Sequence, residues 1–282
     1  MSLRMFKGRT LVIATKHGKE EVIAPVLQNE LGVKTMVPTN FDTDKFGTFT
    51  GEVERKLDPL SVARQKCLAA MEATGCSLAV ASEGSFGPHP HLFFAGCDDE
   101  ILLLMDKNNA LDIYIRHLSL HTNFARRQIT NEQQLIELAG QAKFPSHKLI
   151  LKATIDEDVT YIKGISNFDN LLAKYRQFAN MGCVVEVETD MRAMNNPSRM
   201  LVIAQAAKLL TDKVKSCCPQ CATPGFGITD VEQGLPCELC TQPTTSVIAN
   251  ILTCKKCNYT YRELYPKGIV VEDPQYCQQC NP

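Results

Sequence analysis

The chain has 282 residues, 44% of them apolar, with 30 basic against 31 acidic side chains and a formal charge of −1. That length admits one large domain or a core domain plus a small one, and the charge balance excludes a chain-wide electrostatic footprint for nucleic acid or an anionic membrane. The longest apolar runs, such as Ile101 to Met105, fall far short of the ~20 residues a membrane helix needs. The opening MSLRMFKGRTLVIAT has too short an apolar core for a signal peptide, so the expectation is a cytoplasmic protein with no membrane partner.

The first elements in order are a buried strand at Thr10 to Thr15, a polar turn at Lys16 to Lys19, and a helix from about Glu20 to Leu31 closed by Gly32. A strand, a glycine-bearing loop and a helix N-terminus together make an anion site, because unpaired backbone N–H groups and the helix dipole face the loop. Thr15, His17, Gly18 and Lys19 are therefore phosphate-binding candidates, with Lys19 supplying a mobile positive charge. Val33 to Pro38 reads as the second strand. Asn40 to Glu54 has no clear period and reads as a flap, a hairpin or a surface excursion.

Asp58-Pro59 opens a helix with aspartate as the cap and proline at the first helical position. It delivers the chain into Ser77 to Pro90, read as a short strand, Leu78 to Ala81, ending on an acid in a glycine- and proline-rich turn. In an open α/β sheet the carboxyl ends of strands are where ligands bind, which makes Glu83 a candidate; the plain alternative is that Ser82 and Glu83 only cap and solvate a turn. His91 to Ala95 and Ile101 to Asp106 follow as hairpin strands around a Cys97 to Asp99 turn, and Leu111 to Leu120 fits either helix or strand. Asn131, with Gln134 three residues on, caps a further helix; Lys148 to Thr154 is a strand and Asn167 to Met181 an amphipathic helix.

Cys183 to Met191 alternates so that Glu186, Glu188 and Asp190 share one strand face. Three carboxylates in a row face water, pair with basic residues, or share a divalent cation, for which magnesium with Glu83, Glu188 and Asp190 is the candidate set. Asn196 and Pro197 then start a helix that carries Ser198 and Arg199 in its first turn, further candidate phosphate ligands beside those acids.

The cysteines organise the rest. Of 13, Cys67, Cys76, Cys97 and Cys183 are scattered, whereas the others crowd between Cys217 and Cys280. Eight form knuckles of two cysteines separated by two residues: Cys218 and Cys221, Cys237 and Cys240, Cys254 and Cys257, Cys277 and Cys280. Eight soft thiolates in such pairs point to two structural four-cysteine zinc sites, the knuckles pairing either in sequence or nested, with Cys217 spare or standing in for Cys218. The expected division is an α/β domain over 5–214 and a double zinc-ribbon domain over 215–282. Lys255, Lys256, Tyr259, Tyr261 and Arg262 suit nucleic-acid contact or simply a hairpin surface.

With these residues in view, the first ninety or so positions resemble the inosine/xanthosine triphosphate pyrophosphatase superfamily. The resemblance is carried by Thr15, His17 and Lys19, then Gly47, Thr48 and Phe49, then Ala63, Arg64 and Lys66, then Ser82, Glu83 and Gly84; His17 stands where that family has asparagine. It implies an open mixed α/β sheet flanked by helices and a magnesium-dependent phosphohydrolase acting on a nucleotide or related phosphoester. In that reading the catalytic residues are Glu83, Lys19 and Arg64: Lys19 and Thr15 hold phosphate, Glu83 with Glu188 or Asp190 holds the ion and orients water, and Arg64 or Arg199 offsets charge in the transition state. The second half resembles an uncharacterised bacterial family of unknown function that joins such a domain to a cysteine-rich tail. The alternative function is a nucleotide-sensing module without catalysis, whose zinc ribbons bind nucleic acid or protein.

Overall fold

A computed structural model describes residues 2–39, 41, 57–92 and 94–282. The Asn40 to Glu54 loop, with Gly47, Thr48 and Phe49, lies outside the described residues but for Phe41. The chain divides into two units: one is Phe6–Thr211, and the other is Asp212–Pro282 with the N-terminal residues up to Met5.

The larger unit is a mixed α/β structure with an open sheet flanked by helices. Strand β1 (Thr10–Ala14) leads through α1 (Glu20–Leu31) to β2 (Lys34–Met36), and α2 (Pro59–Thr74) leads to β3 (Leu78–Pro88), β4 (Gly96–Asp106) and β5 (Leu111–Ser119). The sheet order is β2-β1-β3-β4-β5, parallel across its first three strands and antiparallel across the last three. Val12, Ala14, Ala79, Ala81 and Leu103 on one face meet Ala63, Cys67, Ala70 and Met71 of α2; the alanines on both sides let helix and sheet approach closely, and Leu103 and Met71 fill the remaining space.

A second sheet, not evident in the sequence, combines β6 (Arg126–Ile129), β7 (Leu149–Ile155), β8 (Asp158–Ile165) and β9 (Val184–Thr189) in the order β6-β9-β7-β8, all antiparallel. Helices α3 (Glu132–Gln141) and α4 (Phe168–Asn180) bury Leu135, Leu138, Leu171, Tyr175 and Phe178 against Leu149, Leu151, Val185 and Val187 on one face. Helix α5 (Pro197–Lys215) follows β9.

The caps read from sequence at Asp58 and Asn131 are in place: Asp58 accepts from the Ser61 N–H at 3.0 Å and Asn131 from the Gln134 N–H at 3.0 Å. Asn167, read as the first residue of a helix, is likewise its cap and accepts from the Asn170 N–H at 2.8 Å. Strand β3 corrects the sequence reading: it does not stop at Ala81 but runs in register with β4 through Ser82↔Leu102, Gly84↔Glu100 and Phe86↔Asp98 to Pro88. Cys97 to Asp99 are accordingly paired strand residues rather than a turn, and Leu111–Ser119 is a strand.

The smaller unit is a three-stranded antiparallel sheet, β10 (Ile228–Gln233), β11 (Val247–Thr253) and β12 (Thr260–Leu264), with β11 in the centre. A cysteine knuckle stands before β10 and after each of the three strands.

Candidate functional site

Cross-strand partners share a face, so β3 and β4 sort their polar residues onto two sides of the sheet. Glu83, opposite Ile101, faces α2, where its carboxylate is ion-paired with Lys66; both side chains are buried. Arg64 lies on the same helix and is held by Asp112 of β5, with its Nε 2.7 Å from Oδ2. Two of the three candidates read as catalytic, Glu83 and Arg64, thus sit in ion pairs between helix and sheet, the third being Lys19.

Ser82, Gly84 and Phe86 face the other way, together with Glu100 and Asp98. Two cations reach this face from helix starts. Lys19, just before α1, donates from Nζ to Ser82 Oγ at 2.9 Å and to the Ser82 carbonyl at 3.3 Å, so it is a fixed buried amine and not the mobile charge expected. Arg199, in the first turn of α5, donates from Nε to Glu100 Oε1 at 2.7 Å and from NH1 to the Met191 carbonyl, and stacks over the Phe86 ring at 5.0 Å. Its guanidinium is wholly enclosed, as is the Glu100 carboxylate. Gly84 makes room for this pair: a Cβ there would lie 2.4 Å from Arg199 NH2 and 2.5 Å from Glu100 Oε1.

Burial pushes the Lys19 amine down to about 8, with Arg199 and Lys66 acting in the same direction and Glu100 and Glu83 opposing. Before it, Thr15 is buried with its hydroxyl donating to the Lys16 carbonyl, and His17 and Gly18 both adopt left-handed backbone at φ 77. Consecutive residues of that kind turn the chain sharply from β1 into α1, which aims Lys19 across to β3.

Ser198, also in the first turn of α5, meets a histidine. His147 Nε2 lies 2.9 Å from Ser198 Oγ and accepts from the Ser198 N–H at 3.1 Å, while Nδ1 lies 3.0 Å from Ser146 Oγ. Burial, then the charge of Lys143, lowers the His147 pKa and favours the neutral ring that this acceptor role requires. The helix start is completed by Asn196, whose Oδ1 accepts from the Arg199 N–H at 3.0 Å.

The proposed magnesium set does not converge. Glu83 is engaged by Lys66. Asp190 leaves the strand face and accepts from Arg192 Nε at 2.9 Å and Asn195 Nδ2 at 2.8 Å, which ties the turn leading into α5. Glu188 stays on β9 with Glu186, opposite Arg126, with Arg126 Nε 3.9 Å from its carboxylate; burial raises its pKa. Among the described residues, the groups of three or more ligand side chains close enough to share an ion are both made of cysteine. These residues do not fit a magnesium ion.

Those two groups are Cys218, Cys221, Cys254 and Cys257, and Cys237, Cys240, Cys277 and Cys280. In the first, Sγ atoms approach at 3.7 Å (Cys218 to Cys257) and 3.6 Å (Cys221 to Cys254); in the second at 3.9 Å (Cys237 to Cys280) and 3.6 Å (Cys240 to Cys277). A tetrahedron with zinc–sulfur bonds of about 2.3 Å has edges of about 3.8 Å, so both tetrads can hold zinc, while the separations are far beyond the ~2.05 Å of a disulfide. Each knuckle is the same turn: the residue after its second cysteine donates its N–H to the carbonyl of the first, from Ala222, Thr241, Asn258 and Asn281 at 2.8–3.0 Å. Cys217 lies outside both tetrads.

The pairing is neither sequential nor nested but interleaved, first knuckle with third and second with fourth. Strand direction dictates it. In an antiparallel three-stranded sheet, the start of β10 lies beside the end of β11, and the end of β10 beside the start of β11 and the end of β12. A knuckle at every strand end therefore falls alternately at opposite ends of the sheet. Arg262, a suggested nucleic-acid contact, is bound to Glu232 of β10, reaching across the central strand β11.

Asp98, Glu100 and His147 were missed as candidates. The signal for the first two was the period-two series Asp98, Glu100, Leu102 and Leu104, which places acids and core leucines on one face of a single strand.

Among the described residues, no helix is long and apolar enough to cross a membrane. No curated protein matches the chain. Among solved structures, it is similar to lipoprotein GNA1162 from Neisseria meningitidis at 12% identity over 47% of this chain and 93% of that one, with a TM-score of 0.19, too low to relate the two folds. A family model matches from Lys66 on β3's preceding helix through both cysteine tetrads, over residues 66–282, and the chain belongs to that family, described as a domain of unknown function (DUF6671).

Proposed function

We propose that the larger unit binds a phosphorylated small molecule of the nucleotide class, with the Lys19 ammonium as its anchor, and that the smaller unit is a module folded around two structural zinc ions. The observation that carries the first part is Lys19 itself: an amine at a helix start, buried on Ser82 with Arg199 nearby, whose charge is disfavoured first by burial and then by Arg199. An anion arriving beside a buried amine offsets the cost of its charge. The residues read as magnesium ligands and transition-state partner are engaged elsewhere, which favours binding over the phosphohydrolase reading; the buried Glu83–Lys66 pair, on the other face of β3 but close enough for its charges to bear on Lys19, keeps hydrolysis as the second reading. Tetrads in which all four positions are thiolates leave no ligand place for a substrate, so zinc acts here as a fold-former.

The zinc-loaded chain is expected to unfold at higher temperature in the presence of a nucleoside triphosphate, with and without magnesium, and Lys19→Met is expected to abolish the rise. Phosphate and pyrophosphate release are assayed alongside. Release above that of a Glu83→Gln variant selects the hydrolase; stabilisation without release selects the binding protein. No stabilisation by any nucleotide, or an equal one in Lys19→Met, overturns the proposal.

A further inference from the structure

Asp98 poses a problem that neither function addresses. It is fully buried, and among the described residues neither of its carboxylate oxygens receives a hydrogen bond; Glu100 Oε2 is in the same position. An ionised carboxylate left without donors in a protein interior is among the costliest arrangements a fold can contain. Asp98 and Glu100 are two residues apart on β4, on one face of the sheet, and Arg199 is committed to the other oxygen of Glu100. We infer that Asp98 and Glu100 share one proton at neutral pH, Asp98 carrying it as an un-ionised carboxyl group and donating it to Glu100 Oε2.

One proton resolves most of the difficulty. It removes the uncompensated charge on Asp98, gives Glu100 Oε2 a donor, and leaves Glu100 ionised against Arg199. The surroundings agree. Facing the pair are Phe86 and Gly84 from β3, Ser119 and His117 from β5, Arg199 from α5 and Lys19 from the turn before α1. His117 is turned toward Gln205, with Nε2 3.3 Å from its Oε1. Asp99 and Arg116, bound to each other, belong to the opposite face. Burial first, then the charge of Glu100, pushes Asp98 up to about 8, while Arg199 and Lys19 pull the other way without cancelling the shift. The buried cluster therefore stores an exchangeable proton next to the Lys19 amine, and its charge changes near the same pH as that of Lys19.

The native chain holds a proton on Asp98 that the unfolded chain, with an ordinary aspartate near about 4, has released. This contribution to stability is fully present below the unfolded pKa and is lost as pH rises through about 8. Infrared spectra of the zinc-loaded chain labelled with ¹³C-aspartate test it. The expected result is a carbonyl stretch of an un-ionised, labelled carboxyl group at pH 7 that fades through about 8, is missing in Asp98→Asn, and fades at lower pH in Glu100→Gln. Asp98→Asn is further expected to lose less stability than the wild type as pH is raised from 5 to about 8. Absence of the labelled band from the wild type at pH 7 overturns the inference and needs no variant to fold; so does a band that survives in Asp98→Asn, or a midpoint that Glu100→Gln leaves unmoved.

Discussion

A chain whose first and third knuckles are both disabled, by Cys218→Ser, Cys221→Ser, Cys254→Ser and Cys257→Ser, is expected to keep one bound zinc or cobalt ion. Disabling the first and second knuckles, Cys218, Cys221, Cys237 and Cys240, is expected to leave no intact four-cysteine site. The two variants lose equal numbers of thiols, so the difference reads the pairing alone. Sequential pairing gives the reverse outcome, and nested pairing gives no intact tetrad in either. Metal content by mass spectrometry of the native protein, with the cobalt–thiolate absorption as a second measure, decides among them. The stability effect is large. Structural zinc sites in small modules bind with about 10–16 kcal/mol, as much as or more than the ~5–15 kcal/mol that holds a typical domain together, so losing one tetrad should unfold its end of the sheet.

The second large effect lies in the larger unit. Arg199→Met is expected to cost about 3–5 kcal/mol, because it leaves Glu100 buried without its guanidinium partner beside an Asp98 that offers no positive charge. Removing both ends of the pair, with Glu100→Gln added, is expected to recover part of that loss, since the stranded charge is then gone. Urea unfolding of the two single variants and the double variant, each zinc-loaded, gives the comparison. Equal and additive losses would mean that the two side chains do not depend on each other.

These effects mark where the sequence was informative. Caps and turns written in local chemistry were legible: Asp58-Pro59, Asn131 and Asn167 each start a helix where an oxygen two or three atoms from the backbone meets orphan N–H groups. The cysteine ligands were legible for the same reason, since a knuckle is a local turn. What depended on partners distant in sequence was not. Gly84, Gly87 and Pro88 look like a turn, but Gly84 is a strand residue whose missing side chain admits Arg199 and Glu100, more than fifteen positions away in each case. The acids at Asp98 and Asp99 look like solvated turn residues, yet one is sealed inside and the other is paired with Arg116. Asp190 alternates in phase with Glu186 and Glu188, but the chain leaves the strand after Thr189 and the phase no longer applies. Spacing between cysteines does not determine the knuckle pairing, because the strands between them set which ends of the sheet they reach. Arg199 was read as a phosphate ligand from its place at a helix start; the interior carboxylate that claims it comes from another strand altogether.

The measurement that bears most directly on the proposed anchor is the pH dependence of nucleotide affinity. A nucleoside triphosphate is titrated into the zinc-loaded chain between pH 7 and pH 9, where a phosphate whose last ionisation lies near about 6 no longer changes charge appreciably. Lys19 is a cation below about 8 and neutral above it. The expected result is affinity that is highest at pH 7 and falls through about 8, with protons taken up from the buffer on binding near that midpoint, and with both features lost in Lys19→Met. Affinity that is unchanged across this range, or that follows the same curve in Lys19→Met, contradicts a phosphate-binding role for the Lys19 ammonium.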